Sequence, residues 1–173
     1  MPRVKPSRNI PNKSPAPQGK SGFVRIISGQ WKGRKLPVKD VEGLRPTTDR
    51  VKETIFNWLA PHVRGVRCLD LFAGSGGLGL EALSRYAEQV TLVEMDKGAA
   101  DQIRKNLTAL GSSKGLVIQS DAVSWLQGPA TPFDLVFLDP PFRRELLPRV
   151  CDLLEQHGWL APDALIYLER EKE

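Results

Sequence analysis

Between Asp70 and Gly79 the sequence sets a carboxylate immediately before a glycine-rich run, Asp70-Leu71-Phe72-Ala73-Gly74-Ser75-Gly76-Gly77-Leu78-Gly79. Gly74, Gly76 and Gly79 have the spacing of a dinucleotide-binding loop, where glycines let a ligand approach the backbone and the free amides of a following helix. About 20 residues further on, Glu94 offers a carboxylate that can accept both hydroxyls of a ribose. Asp70 narrows the choice of ligand. At the mouth of the loop it would repel a pyrophosphate, but it suits a cation such as the amino-acid portion of S-adenosylmethionine. Asp121 can accept a hydrogen bond from an adenine amino group, cap the helix that runs through Trp125, or do both with its two oxygens.

A second cluster, Asp139-Pro140-Pro141-Phe142, follows the apolar run Phe133-Asp134-Leu135-Val136-Phe137-Leu138. Two prolines stiffen the backbone and remove two amide donors, which leaves the Asp139 carboxylate and the Pro140 carbonyl as convergent acceptors. An exocyclic amine on a nucleobase is a poor nucleophile because its lone pair is delocalised into the ring. Acceptors on its two N–H groups favour the pyramidal, nucleophilic form. Phe142 adds a ring on which a base turned out of its helix can stack.

These groups need a frame that brings both clusters to one edge. The apolar pattern predicts strands at 66–72, 89–95, 115–119, 133–138 and 164–169, alternating with helices near 77–86, 97–110, 122–126 and 144–157. Such alternation implies an α/β fold, a mostly parallel, doubly wound Rossmann-like sheet with helices on both faces. Both clusters then fall at the carboxyl ends of strands, where ligands bind in sheets of this kind. Ahead of the sheet, Val51, Ile55, Trp58 and Leu59 recur at helical spacing after the cap candidates Thr48 and Asp49, which predicts a helix leading into the core.

The 173 residues suit one domain, and 40% hydrophobic with 26% charged residues is the balance of a chain that buries its own core. No apolar stretch is long enough to span a membrane, and no secretory signal precedes the domain, so a soluble cytoplasmic protein is expected. Cys68 and Cys151 are too few for a disulfide framework or a zinc site and read as buried thiols; no metal is expected. Charge is uneven. Residues 1–50 hold 12 Lys and Arg against 3 Asp and Glu, whereas the remainder is mildly acidic. Residues 1–22, with five prolines, five basic residues and no acid, are expected to be a disordered basic tail. Residues 23–44 read as a small basic β-hairpin in which Arg25, Lys32, Arg34, Lys35 and Lys39 surround Trp31. That mixture suits phosphates and base stacking, or else a surface hairpin with Trp31 as its own small core. The α/β domain would then occupy 45–173.

The motifs DLFAGSGGLGLEA and DPPF resemble those of the S-adenosylmethionine-dependent amino methyltransferases. RIISGQWKGRKL at 25–36 and RPTTDRVKETIFNWL at 45–59 extend the resemblance to the RsmD-type family, guanine-N2 methyltransferases of bacterial 16S ribosomal RNA. The resemblance implies S-adenosylmethionine as methyl donor, a guanine of 16S ribosomal RNA as acceptor, and the 30S subunit or its precursor as the physical substrate. It implies roles for Asp70, Gly74, Ser75 and Gly76 at the methionine end of the cofactor, Glu94 at the ribose and Asp121 at the adenine. Asp139, Pro140 and Phe142 would meet the guanine. Arg45, Pro46 and Thr47 would lie over the cofactor and the RNA entry, and Arg25, Trp31, Lys32, Arg34 and Lys35 would contact RNA. Proteins of this fold usually close the sheet with antiparallel sixth and seventh strands, whereas this sequence stops just after the fifth; a short family member or a truncated chain is expected, with an exposed edge strand.

Three other readings share parts of this pattern. A DNA adenine-N6 or cytosine-N4 methyltransferase would use the same Asp-Pro-Pro-aromatic loop, although the small size leaves no target-recognition domain. A nicotinamide oxidoreductase is disfavoured by Asp70 and by size. A non-catalytic RNA-binding assembly protein would not need both motifs intact. With no heptad pattern or exposed apolar stripe apparent, a monomer is expected. No cysteine stands near the DPPF loop, whereas carbon-5 pyrimidine methylation would call for a thiol nucleophile there.

Overall fold

The computed structural model describes residues 22–39, 47–140 and 143–168. Two short strands, β1 (Phe23–Arg25) and β2 (Lys35–Pro37), pair antiparallel with Val24 opposite Leu36 and Arg25 opposite Lys35. Alternation along each strand buries Val24 and Leu36 and leaves Phe23, Arg25, Lys35 and Pro37 outside. Helix α1 (Asp49–Leu59) starts at Thr48, whose hydroxyl accepts the Val51 amide proton, and runs into one 3-10 turn at Ala60–His62.

The sheet contains β3 (Arg67–Asp70), β4 (Gln89–Glu94), β5 (Gly115–Gln119), β6 (Phe133–Leu138) and β7 (Leu160–Leu168), ordered β5-β4-β3-β6-β7 and parallel throughout. Helices α2 (Gly77–Ser84), α3 (Lys97–Leu110), α4 (Ala122–Leu126) and α5 (Arg143–Gln156) connect them. Strand order reverses between β3 and β6, so the loops leaving those two strands diverge and open a crevice at their carboxyl ends. One core cluster joins Ile26, Leu36, Phe56, Leu80, Ile103 and Phe137 on the face that carries α1, α2, α3 and the hairpin. The other joins Leu69, Leu126, Val136, Val150, Leu154 and Trp159 beneath α4 and α5.

The predicted α/β architecture is the one observed, with differences of detail. β3 ends at Asp70 rather than residue 72, and α2 ends at Ser84 because Tyr86 turns into the left-handed region (φ 73°). β7 begins at Leu160, four residues earlier than the pattern suggested; Leu160 faces Phe133 and Leu165 faces Leu135, so the residues around Asp163 (φ 62°) bulge from the ladder. Pro162-Asp163 reads as a break in sequence, but a bulge on an outer strand accommodates it.

Helix α1 is rotated from the expected face. Lys52, Ile55, Phe56 and Leu59 point inward, whereas Trp58 is 73% exposed and Val51 is also outside. The reason is a charge: Lys52 turns in to meet Glu81 and the Arg25 carbonyl, which fixes the helix phase. Cys68 is buried as expected, but Cys151 is only half-buried. β7, an outer strand of the sheet, exposes Leu165, Ile166 and Leu168, an apolar stripe that the sequence pattern did not show. No helix among the described residues is long and apolar enough to cross a membrane.

Candidate active site

β3 delivers Asp70 to the crevice with the residue only 3% exposed, and its Oδ2 accepts the Gly79 amide proton at 3.0 Å. The strand-end carboxylate thus ties down the first turn of α2. Burial pushes its pKa up to about 7; the Gly79 hydrogen bond opposes that rise, and the nearby charges of Asp139 and Glu94 add to it. A Cβ at Gly79 would stand 2.5 Å from the end of the Leu92 side chain and 3.2 Å from the Asp70 carboxylate, so both would have to shift to admit one. Gly76 caps α2 in the left-handed conformation (φ 83°), the turn a strand needs to enter a helix this abruptly.

Glu94 grips the same loop from the neighbouring strand. Its Oε1 accepts the Gly74 amide proton and its Oε2 that of Asp96, each at 2.8 Å. Carboxylate oxygens carry about four acceptor sites, so two remain for a ligand's hydroxyls. Ser75 adds a hydroxyl that accepts the Gly77 amide proton at 3.3 Å. Asp121 caps α4 by accepting the Ser124 amide proton at 2.9 Å, and α4 is held by the buried Trp159 indole, which donates to the Leu126 carbonyl at 2.9 Å. Between them lies a largely apolar cleft of about 270 Å³, lined by Leu71, Phe72, Val93, Glu94, Asp121 and Ala122. Apolar walls with acids at the rim suit a nucleoside: a planar base between the walls, hydroxyl and amino groups on the carboxylates.

Asp139 is exposed just past β6, and Pro140 is buried behind it. Since Asp70 registers with Phe137, Asp139 extends beyond Asp70 on the adjacent strand, close enough for its charge to raise the Asp70 pKa. Asp70, Glu94 and Asp139 therefore share one sheet edge, which favours a cationic ligand over a pyrophosphate. Thr47 sits half-buried ahead of the α1 cap. Arg45 and Phe142 lie outside the described residues, as do Pro46, Pro141 and the basic tail through residue 21. Burial, with the charges of Asp70 and Asp134 adding, pushes the Cys68 thiol up to about 12.

The hairpin lies lengthwise on the domain. Val24 rests against Gly77 at the start of α2, and Gly29, Gln30 and Trp31 reach Ser84 at its end. On the return, Arg34 donates to the Ala109 carbonyl near the end of α3, Pro37 accepts from Asn106, and Lys39 comes beside Gly98 at the start of α3. The basic side chains therefore form a stripe from the crevice towards the opposite end of the sheet. Arg25 also pairs with Asp49 at 3.4 Å, while Lys32, Arg34 and Lys35 are exposed. Trp31 is half-buried against the core, which favours the packing role over a free stacking ring.

Sequence reasoning missed what seats the hairpin. Glu81, fully buried, accepts the Ile27 and Ser28 amide protons at 2.9 and 3.1 Å and is neutralised by Arg85 at 2.7 Å and Lys52 at 3.5 Å. The available signal was a lone acid inside the apolar run Gly77-Leu78-Gly79-Leu80-Glu81-Ala82-Leu83, since a charge there must find partners.

The family model described as conserved hypothetical protein 95 matches residues 24–173. A ribosomal RNA small subunit methyltransferase D from Escherichia coli is 60% identical over 88% of this chain and 77% of its own length. Its namesake from Haemophilus influenzae is 54% identical over 88% of this chain and 81% of its own length. A solved methyltransferase structure from Escherichia coli superposes with a TM-score of 0.82 at 57% identity, covering 87% of this chain and 82% of the other.

Proposed function

From a chain that belongs to the small-subunit ribosomal RNA methyltransferase D family, the family its motifs resemble, we propose methyl transfer from S-adenosylmethionine to the exocyclic N2 amine of a guanine in 16S ribosomal RNA. The enzyme is a methyltransferase of small-subunit ribosomal RNA. The observation that carries the finer reading is the shared edge at which Asp70 and Glu94 border the nucleoside cleft and Asp139 stands alongside.

The cleft's donor set suits the cofactor. Asp70 would hold the α-amino group, Glu94 the ribose hydroxyls and Asp121 the adenine, with Gly74, Ser75 and Gly76 around the methionine end. When bound, S-adenosylmethionine supplies an electrophilic methyl group on a sulfonium. The Asp139 carboxylate and Pro140 carbonyl accept the two N–H protons of the guanine amine and orient its lone pair, with Phe142 as the stacking ring. Positioning supplies most of the acceleration. Asp139 then takes the proton released by the amine, or passes it to water. Arg25, Lys32, Arg34, Lys35 and Arg45 would neutralise phosphates, Trp31 would pack beneath the hairpin turn on the same RNA-facing surface, and Thr47 would lie over the cofactor at the RNA entry. The fitting substrate is a 30S subunit or its precursor, acted on by a monomer in the cytoplasm.

The test is transfer of labelled methyl to unmodified 30S subunits, deproteinised 16S RNA and duplex DNA in parallel, followed by nucleoside analysis. N2-methylguanosine in RNA is the expected product; label in DNA adenine or cytosine would replace this reading. Asp139→Ala should abolish transfer while leaving cofactor affinity near normal.

A further inference from the structure

At the end of the sheet opposite the crevice, a second depression of about 260 Å³ opens between the hairpin turn and the ends of α2 and α3, lined among others by Gln30, Trp31, Tyr86, Ser112, Ser113 and Lys114. We infer that it is a distal RNA subsite, taking a single unpaired nucleotide of the substrate some distance from the guanine that is methylated. The inference rests on the RNA-methylating reading above and extends the RNA path beyond the hairpin to Tyr86, Ser112, Ser113 and Lys114.

Four observations carry it. The depression has a ring for a base: Tyr86 is 43% exposed, while Trp31, packed against the core, forms one wall. Tyr86 is held there by its backbone. It is one of two non-glycine residues with positive φ among those described (73°), its carbonyl accepts the Gly65 amide proton at 2.8 Å, and the Arg64 guanidinium sits 4.5 Å from its ring centroid. A bulky residue in the left-handed region carries strain, and here the neighbours keep the ring at the surface. Third, the surroundings are cationic. Lys32, Arg34, Arg64 and Lys114 are all exposed here, Glu88 being the exposed acid of the same stretch. Gln30, Ser112 and Ser113 add polar groups to a lining that also includes Leu83, Ala87 and Leu110, so an apolar floor for a base has a polar, basic rim for phosphate and sugar.

The fourth observation is continuity. The stripe running from Lys39 through Lys35 and Arg25 to Arg34 and Lys32 connects this depression to the crevice along the length of the hairpin. β4, six residues long, separates the two ends by about 20 Å.

The experiment compares wild type with Tyr86→Asn and Lys114→Gln. Asparagine tolerates the left-handed conformation, so the first variant removes the ring without adding backbone strain. Each protein is assayed for kcat and KM on 30S subunits and 16S RNA, for cofactor affinity, and for equilibrium binding of 16S RNA across a salt series without cofactor. Tyr86→Asn should raise the RNA dissociation constant and KM roughly tenfold, the effect of losing one base stack, with kcat and cofactor affinity unchanged. Lys114→Gln should make the salt slope shallower by about one unit. Wild-type RNA affinity and slope in both variants would overturn the subsite. If wild type transfers methyl and the variants match it in every readout, the subsite fails while the function stands; if wild type binds RNA without transfer and both variants weaken binding, the subsite stands and the function falls.

Discussion

Glu94 accepts the Gly74 amide proton at 2.8 Å, so the acid that ends one strand holds the glycine loop that leaves its neighbour. The two cofactor motifs are one mechanical unit: whatever fixes the ribose acceptor also fixes the loop. Glu94→Ala should therefore weaken cofactor binding by at least tenfold through the loss of two charge-assisted hydrogen bonds, each contributing about 1.5–3 kcal/mol. Glu94→Gln, which keeps one acceptor, should fall between. Calorimetry with S-adenosylmethionine checks this, and RNA affinity measured in parallel should not change.

Asp70 makes both stability and cofactor binding depend on pH. Its folded pKa, raised by burial from 3.8 to about 7, lies above that of the unfolded chain. The contribution is then fully present below about pH 4 and lost as pH rises through 7, on the order of 4 kcal/mol in all. Asp70→Asn should remove the dependence and melt above wild type at about pH 8 without cofactor. Because the α-amino group pairs with the ionised carboxylate, wild-type cofactor affinity should rise between about pH 6 and 7.5, before that amino group deprotonates. A flat wild-type profile would contradict the assigned contact.

The buried charges around Glu81 hold hairpin, α1 and α2 together. Glu81→Ala strands Lys52, which is 1% exposed, and leaves the Ile27 and Ser28 amides without their acceptor. Loss of a buried partner of this kind costs about 3–5 kcal/mol. Denaturant melts should show it, whereas replacing the half-exposed Arg25 of the Asp49 pair should cost under about 1 kcal/mol.

Gly29 is where the hairpin turn touches α2. It has φ +94°, and a Cβ would overlap the Ser84 carbonyl oxygen at 2.0 Å. Gly29→Ala should destabilise the fold by about 1–3 kcal/mol and raise KM for RNA more than the cofactor Kd, because the turn carries Trp31 and Lys32 while the cofactor loop lies at the other end of α2. Separate saturation curves for the two substrates decide it.

Burial raises both thiols above the ordinary range, Cys68 the further, to about 12. A thiol reagent at neutral pH should modify Cys151 slowly and Cys68 only after unfolding. Rapid native-state labelling of Cys68 would show that β3 is less tightly covered than the packing implies.

Much of this protein is local in origin and therefore legible along the chain. Strand and helix alternation, the glycine loop at 74–79, the cap at Asp121 and the acids closing β3 and β4 depend on periodicity, backbone permissiveness and near neighbours, and the motifs carrying them identify the family. Tertiary structure decided what depends on partners distant in sequence. Helix α1 turned its apparent apolar residue Trp58 outward because Lys52 had to reach Glu81, 29 positions away. Trp31 became a packing residue because α2 ends beneath it, and β7 absorbed Pro162-Asp163 as a bulge because β6 supplies the ladder on one side. A buried charge and a half-buried ring are settled by which groups the fold brings within a few ångströms, and residue spacing alone carries no record of that meeting.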